Sequence, residues 1–434
     1  MLEDAINSLF AENTKQTPQL CEIYAQMGKR VHYRNIEDES SVYLAPINGM
    51  SLSMRHVGVE KFAYAHSLRK EAYEKMNTAL ISADRSMFLK PTHQPQQEQL
   101  DVSSGDICKM IKEIKGLTAN YNTKSEINVL SYDYDIYALN NRNGARHRKD
   151  SYIYLAVKYH INDAEYTFRR VLFDYEYDKA TFDLHQSIKN NYENSTRLKS
   201  VSFGEYDLVL GSGQPAILFH ECCGHLCEIG KSSKEYSPFN SRLKETIASP
   251  FLTLFDDDFK LRQKLEFDDE GSEKKNTKLI DGGVLSCFLT DLYGAESFNC
   301  EHTGNSRRES FEFLSEARMC CTYVDNGHHS PSDILASTGK GIYVEKMSDS
   351  YVNLKTGEVI ATIEEGYLIS NGKLESPVRN CIVKGNALNI LKNVEAIGND
   401  LSFSQAACVS NSGHIYVEVG QPTVKIEGIK AYSK

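Results

Sequence analysis

Pro215-Ala-Ile-Leu-Phe-His-Glu-Cys-Cys-Gly-His-Leu-Cys-Glu228 is the stretch around which the chain is organised. It follows a strand-like run, Tyr206 to Leu210, and a Gly211-Ser212-Gly213 turn. Pro215 suits the first turn of a helix, where no intrahelical donor is needed, and Ala216 to Phe219 give an apolar entry. Two imidazoles and a carboxylate, His220, Glu221 and His225, then stand where a buried helix would carry apolar side chains. Such burial is costly unless something binds them.

The familiar zinc helix places its histidines at i and i+4. Here they are at i and i+5, which on a regular α-helix lie about 140° apart. One extra residue accommodated in a π-type turn would return both to one face, and Gly224 lowers the steric cost of that distortion. The spacing therefore predicts a widened turn. A plain alternative is that His220 and His225 are hydrogen-bonded core histidines and Glu221 a carboxylate near the helix N-terminus. Zinc would also need a third protein ligand. Cys222, Cys223, Cys227 and Glu228 are candidates within the helix, and Cys287, Cys300, Cys320, Cys321, Cys381 and Cys408 lie farther along. Periodicity does not choose among them.

With 434 residues the chain is long enough for two or three domains, and its 41% hydrophobic and 25% charged content is that of a folded protein. A net charge of −10 without a long basic run argues against a nucleic-acid partner. No apolar run approaches the ~20 residues of a membrane span, and the N-terminus has no signal-peptide pattern. Eleven cysteines, an odd number without small-scaffold spacing, suit reduced thiols. A soluble cytoplasmic protein is expected.

Residues 2–12 carry apolar positions at helical spacing. Strands are expected at Glu22 to Arg34, Ser41 to Ala45, Met50 to Arg55 and Val59 to Ala65, with turns at Asn48-Gly49 and Gly58, and a helix over Leu68 to Ser82. The polar stretch from Pro91 to Gln99 reads as a linker. A helix from Ile107 to Leu117 precedes long alternating strands, Glu126 to Leu139, Tyr152 to His160 and Tyr166 to Phe173, whose tyrosines suit cross-strand packing. A polar helical piece runs to about Ser200. The acidic runs Asp256-Asp-Asp258 and Phe267-Asp-Asp-Glu-Gly271 read as solvated loops, although Asp268, Asp269 and Glu270 could hold a hard cation. Short β runs over 278–292 and 341–386 suggest a strand-rich shell around the helix. The expected fold is α+β: N-terminal α/β units followed by a strand-rich C-terminal domain carrying the metal-binding helix. Its divisions are an α+β domain at 1–90, a linker at 91–105, a helix with antiparallel strands at 106–198 and a β-rich domain at 199–434.

Several stretches together resemble the TldD/PmbA family of metallopeptidases, in its TldD branch. His220-Glu-Cys-Cys-Gly-His-Leu-Cys-Glu228 is similar to that branch's His-Glu-x-x-Gly-His-x-x-Glu. Phe267-Asp-Asp-Glu-Gly271, Thr303-Gly-Asn-Ser-Arg-Arg-Glu-Ser310, Gly341-Ile-Tyr343, Gly398-Asn-Asp-Leu401 and Val419-Gly-Gln-Pro-Thr423 follow in the family's order. The resemblance implies a third zinc ligand between the last two motifs, which in this sequence is Cys408, in preference to Glu228. It also implies an assembly enclosing a cavity, made with a TldE/PmbA-like subunit or with a second copy of the chain. The PmbA (TldE) branch lacks the histidine motif, so a chain that keeps it resembles the catalytic member.

The function so implied is zinc-dependent hydrolysis of unfolded or leader-type peptides inside a dimeric chamber. His220, His225 and Cys408 would bind Zn2+, Glu221 would be the general base, and Arg307, Arg308 and His414 are candidates to hold substrate or stabilise the transition state. Two other readings are a non-catalytic partner or scaffold with a structural, four-ligand metal site, and a cysteine peptidase using Cys222 or Cys223.

Overall fold

The computed structural model describes residues 20–36, 39–56, 59–82, 87–89, 98–99, 106–121, 123–162, 164–173, 176–229, 237–262 and 264–433. The helix expected over 2–12 and most of the 91–105 linker lie outside the described residues. The chain divides into two units, residues 1–196 with 310–314, and residues 197–309 with 315–434.

The first unit is built on one eight-stranded sheet. Segments expected as separate modules, 1–90 and 106–198, both contribute strands to it: Leu20–Ile36 runs antiparallel to Glu39–His56 on one side and to Ser125–Asn140 on the other. Period-2 alternation explains the second half of the sheet. Ile127, Val129, Leu155 and Val157 turn inward and form a core with Met110 and Ile114 of the helix Asp106–Asn120 and with Ala180, Leu184 and Ile188 of the helix Tyr177–Asn194. Those helical positions recur every three or four residues, so each helix has one apolar face to bury. Asn140 makes the hairpin turn before Gly144 by accepting from the Arg142 and Asn143 amides at 2.8 and 2.7 Å. Tyr132 stacks on its cross-strand partner Tyr152 with ring centroids 4.7 Å apart, the packing expected of that face.

The turn expected at Asn48-Gly49 does not form. Glu39–His56 is a single strand because its long antiparallel neighbour offers a partner to every residue from Glu39 to Arg55, Gly49 included, which faces Gln26. Glycine is needed there for space: a Cβ would stand 2.3 Å from the Phe311 ring and 2.7 Å from the Ala65 carbonyl.

In the second unit five strands pair into a closed ring, Lys340–Val352, Gly204–Leu210, Val424–Ser433, Cys381–Asn386 and Glu358–Ser370, with the first and last also paired. Closure leaves no open edge in the ring and gives it a continuous apolar inner face. Leu208, Leu210, Ile342, Val344, Ala361, Ile363, Val383 and Ile426 from these strands share one core with Leu218, Phe219, Cys222, Cys223, Leu226 and Cys227 of the helical segment. A six-stranded sheet lies beside it in the same unit and ends in the hairpin Ser402–Ser410/Gly413–Gln421. The fold is thus α+β with a strand-rich C-terminal part, as expected. Among the described residues no helix is long and apolar enough to cross a membrane.

The acidic runs are not solvated loops. Asp256, Asp268 and Glu270 are fully buried, and Asp257 and Asp269 nearly so. Each is matched by fixed donors, which is what makes burial tolerable. Asp256 takes the Asn305 side-chain amide at 2.7 Å, the Cys320 amide at 2.9 Å and the Lys274 ammonium at 3.1 Å. Asp268 accepts from the amides of Glu270, Ser272 and Ser306, and Asp269 from that of Arg308. Glu270 accepts from the Leu292 amide.

Two substitutions test these packing arguments. Gly49→Val, by forcing a side chain against the Phe311 ring, is expected to cost about 1–3 kcal/mol. Lys274→Met leaves Asp256 buried without its cation and is expected to cost about 3–5 kcal/mol. Both are read from urea unfolding midpoints at constant m-value.

Candidate metal centre

The helical segment begins at a turn clamped from both sides. The Gly211 amide donates to the Val344 carbonyl and the Gly213 amide to the Gln421 carbonyl, both at 2.9 Å, while the Gln421 side chain donates back to the Gly211 carbonyl at 2.8 Å. Gln214 closes a two-way bridge with the Met347 backbone. Asp400 holds the Thr423 amide and hydroxyl, each at 2.8 Å. The Gly398-Asn-Asp and Gly-Gln-Pro-Thr motifs therefore fix where the helix starts.

The helix then widens where the spacing predicts. His220–Gly224 is a single π turn, and the His225 amide donates to the His220 carbonyl five residues back. Gly224 is required for close approach, because a Cβ there would lie 1.8 Å from the Met319 sulfur. The two imidazoles end with ring centroids 4.9 Å apart and nearly perpendicular.

Cys408 meets them from the hairpin strand Ser402–Ser410. Its sulfur is 3.3 Å from His220 Nε2 and 3.2 Å from His225 Nε2. These three ligand atoms lie within 4.8 Å of one another and could hold a metal ion. Two imidazoles and a thiolate are a donor set that zinc accepts. Burial raises the Cys408 thiol, but His225 and His220 outweigh it and hold it well below the ordinary thiol range. Burial lowers His225, and Cys408 and Glu228 more than reverse that, raising it well above the usual imidazole value. Glu221 is 8% exposed and its carboxyl is raised, first by burial, against the pull of His225 and His220.

The other sequence candidates make the following contacts. Arg307 donates to the Met319 carbonyl at 3.0 Å and lies over the Phe259 ring. Arg308 is buried and donates through its backbone amide to Asp269 Oδ2 at 2.7 Å. His414 is exposed, its amide held by Glu309 Oε2 at 2.8 Å. Cys222 is fully buried, and burial pushes its thiol well up, away from a nucleophile's range. Asp268, Glu270 and His302 form a second group within ligand distance, but the Asp268 oxygens already serve three backbone amides.

Two residues at the centre were not assigned these positions from sequence. Glu228, weighed there as a ligand, lies behind His225: Oε2 is 2.8 Å from His225 Nδ1, and Oε1 accepts from the Met319 amide at 3.0 Å. Its i+3 spacing from His225 is a readable signal for such a partner. Arg318, with its Nε 3.8 Å from Glu228 Oε1, has no local signal, because ninety residues of chain separate the two.

The family model described as PmbA/TldA metallopeptidase C-terminal domain matches residues 203–433, more than half of the chain. The chain belongs to this family. It is 35% identical to the metalloprotease TldD homolog of Buchnera aphidicola (Schizaphis graminum) over 52% of this chain and 47% of that protein. It is 29% identical to the zinc metalloprotease TldD homolog of Saccharolobus solfataricus over 57% of each. The chain thus spans about half the length of the curated relatives it matches. The crystal structure of TldE from Thermococcus kodakarensis superimposes with a TM-score of 0.74 over 98% of this chain and 99% of that one, at 19% identity, which shows a shared fold.

Gly224→Ala tests the widened turn. The added methyl collides with Met319, whose amide is already fixed by Glu228, so a loss of about 1–3 kcal/mol is expected in urea unfolding.

Proposed function

We propose that the chain is a zinc-dependent peptidase whose activity resides in residues 199–434, with His220, His225 and Cys408 holding the metal and Glu221 as general base. The observation that carries this reading is the convergence of the two imidazole Nε2 atoms on the Cys408 sulfur, with Glu221 next to the first of them. The donor set fits the ion: the two histidines hold the Cys408 thiol well below its ordinary range, and Glu228 occupies the Nδ1 side of His225, leaving Nε2 for the metal. When bound, zinc supplies a Lewis acid for the scissile carbonyl and lowers the pKa of a water to about 7.

Glu221 performs the proton work. Its carboxylate takes a proton from the attacking water and delivers it to the leaving amine as the C–N bond breaks. Burial raises its proton affinity, which suits a group that must first accept a proton and then release it. The names of the relatives support peptide hydrolysis as the reaction class. Unfolded or leader-type peptides are the proposed substrates, bound as extended segments along strand backbone, inside a dimeric chamber formed with a TldE/PmbA-like subunit or a second copy. Eleven free cysteines support a reducing, cytoplasmic setting. A closed structural site would need a fourth protein ligand, and the engagement of Glu228 with His225 Nδ1 speaks against Glu228 supplying it.

Zinc content and hydrolysis of an unstructured peptide are to be measured on the wild type and Glu221→Gln, each alone and with any co-purifying subunit. About one zinc per chain is expected in both, with activity lower by roughly 10²–10⁴-fold in the variant. Chelation should abolish wild-type activity and added zinc restore it. Equal activity in the two proteins would remove Glu221 from the role.

A further inference from the structure

We propose that Arg318 is a positioning residue that fixes two of the ligand-bearing segments at once: the carboxylate behind His225 and the hairpin turn behind Cys408. The inference rests on the metal-site reading above and adds to it a residue from a third part of the chain.

The geometry is specific. Arg318 is 1% exposed. Its Nη1 donates to Ser412 Oγ at 2.7 Å and to the Gly413 carbonyl at 3.3 Å, both at the turn of the Cys408 hairpin. Its Nε lies 3.8 Å from Glu228 Oε1, and the other oxygen of that carboxylate is 2.8 Å from His225 Nδ1. One guanidinium thus links the two segments.

Both segments have other holds, and Arg318 reaches both. Among the described residues Ser402–Ser410 is the last strand of its sheet, paired on one side only, and its ladder ends at Ser410 opposite Gly413, two residues beyond Cys408. The end of an edge ladder is where pairing frays most readily. Cys408 is itself paired with Ile415, Glu309 holds the backbone of the turn through the Ser412 carbonyl and the His414 amide, and Arg318 adds a bond to the Ser412 side chain. Glu228 sits where the helical segment has ended, at φ −71°, ψ 108°, and the chain has passed into a short strand paired with Leu289–Thr290. An oriented carboxylate there sets the ring angle of His225 and which of its nitrogens is free.

Arg318 is itself held by its backbone. Its amide donates to the Asn305 carbonyl at 2.7 Å, and its carbonyl accepts from the Asn305 side chain at 2.9 Å. That same side chain reaches Asp256 at 2.7 Å. Replacing the Arg318 side chain leaves these bonds in place, so the substitution acts on the guanidinium alone. As a stability device the residue is poor. Its Nε and Nη2 have no hydrogen-bond acceptor among the described residues, and a buried, incompletely satisfied cation contributes less than an apolar side chain of the same volume. Orientation of the site explains its presence better than stability does.

Cobalt(II) alone is the probe, titrated into metal-stripped full-length wild type, Cys408→Ser, Arg318→Lys and Arg318→Met. Thiolate ligation is read from the sulfur-to-cobalt charge-transfer band, and the thermal midpoint of each metal-free protein reports its folding. The wild type is expected to show the band and Cys408→Ser to lack it. Both Arg318 variants should bind cobalt roughly 10–100-fold more weakly, with a diminished band, while the metal-free midpoint of Arg318→Lys, which keeps a cation beside Glu228, stays close to that of the wild type. Arg318→Lys keeps the charge without the fork, so its failure to restore affinity separates geometry from charge. Wild-type titrations and spectra in both variants would overturn the proposal, and so would unfolding of both, which would make Arg318 a structural residue. A Cys408→Ser protein that kept the band would instead overturn the three-ligand reading.

Discussion

A single backbone hydrogen bond governs the geometry of the second unit's centre: the one from the His225 amide to the His220 carbonyl. Moving the bond from four residues to five rotates His225 back onto the face of His220, and both Nε2 atoms then point toward one sulfur. The distortion is local. Residues 217–219 and 225–227 on either side are ordinary α-helix, and the apolar side chains they carry pack into the ring of strands. A π turn sacrifices regular bonding, and it persists here because its neighbours leave no alternative: the entry is clamped by Gln421 and Gln214, and Met319 fills the space beside Gly224.

Around that turn the acidic motifs act as scaffolding. Asp268 and Asp269 each hold an amide of the Thr303–Ser310 segment, and Asn305 in the same segment pins Arg318 and Asp256 together. Buried carboxylates suit this task because one group can accept two or three directional bonds from backbone that lacks a regular ladder. This is irregular chain held to the standard of a sheet. Glu309 extends the same network to the hairpin, its amide donating to the Ser412 carbonyl and its carboxylate accepting from the His414 amide. Motifs that look like a roster of reactive residues are in large part the braces of a few.

What could be read from the sequence was what depends on near neighbours. The i, i+5 spacing and Gly224 specify the widened turn; alternating Ile127, Val129, Leu155 and Val157 specify a two-faced sheet; Met110 and Ile114 specify a helix face. Where distant chain decides, local signals misled. Asn48-Gly49 has hairpin chemistry, but a long partner strand on one side overrides it. Asp256 and Asp268 have the composition of a loop, and only the donors that come from Asn305, Ser306 and Cys320 make them core residues. Cys408 stands 183 residues from His225, and nothing in the spacing of eleven cysteines marks it. Only the family resemblance singles it out, and Arg318 lies in none of the motifs that carry that resemblance.

The electrostatics of the three-residue group argue for an occupant. His225 and His220 lower the Cys408 thiol against its burial, and Cys408 and Glu228 raise His225 against its own. A divalent cation entering there would displace the imidazole proton and inherit the thiolate, so its affinity must fall as acidity rises and the proton competes. Glu228 sharpens that competition from both sides, since a carboxylate on Nδ1 strengthens His225 as a base toward a proton and as a donor toward a metal. The balance is set by geometry: a proton needs only one nitrogen, while a metal uses both Nε2 atoms and the sulfur together. On the proposed zinc reading, the five-residue hydrogen bond, by keeping the imidazoles on one face, favours the cation over the proton.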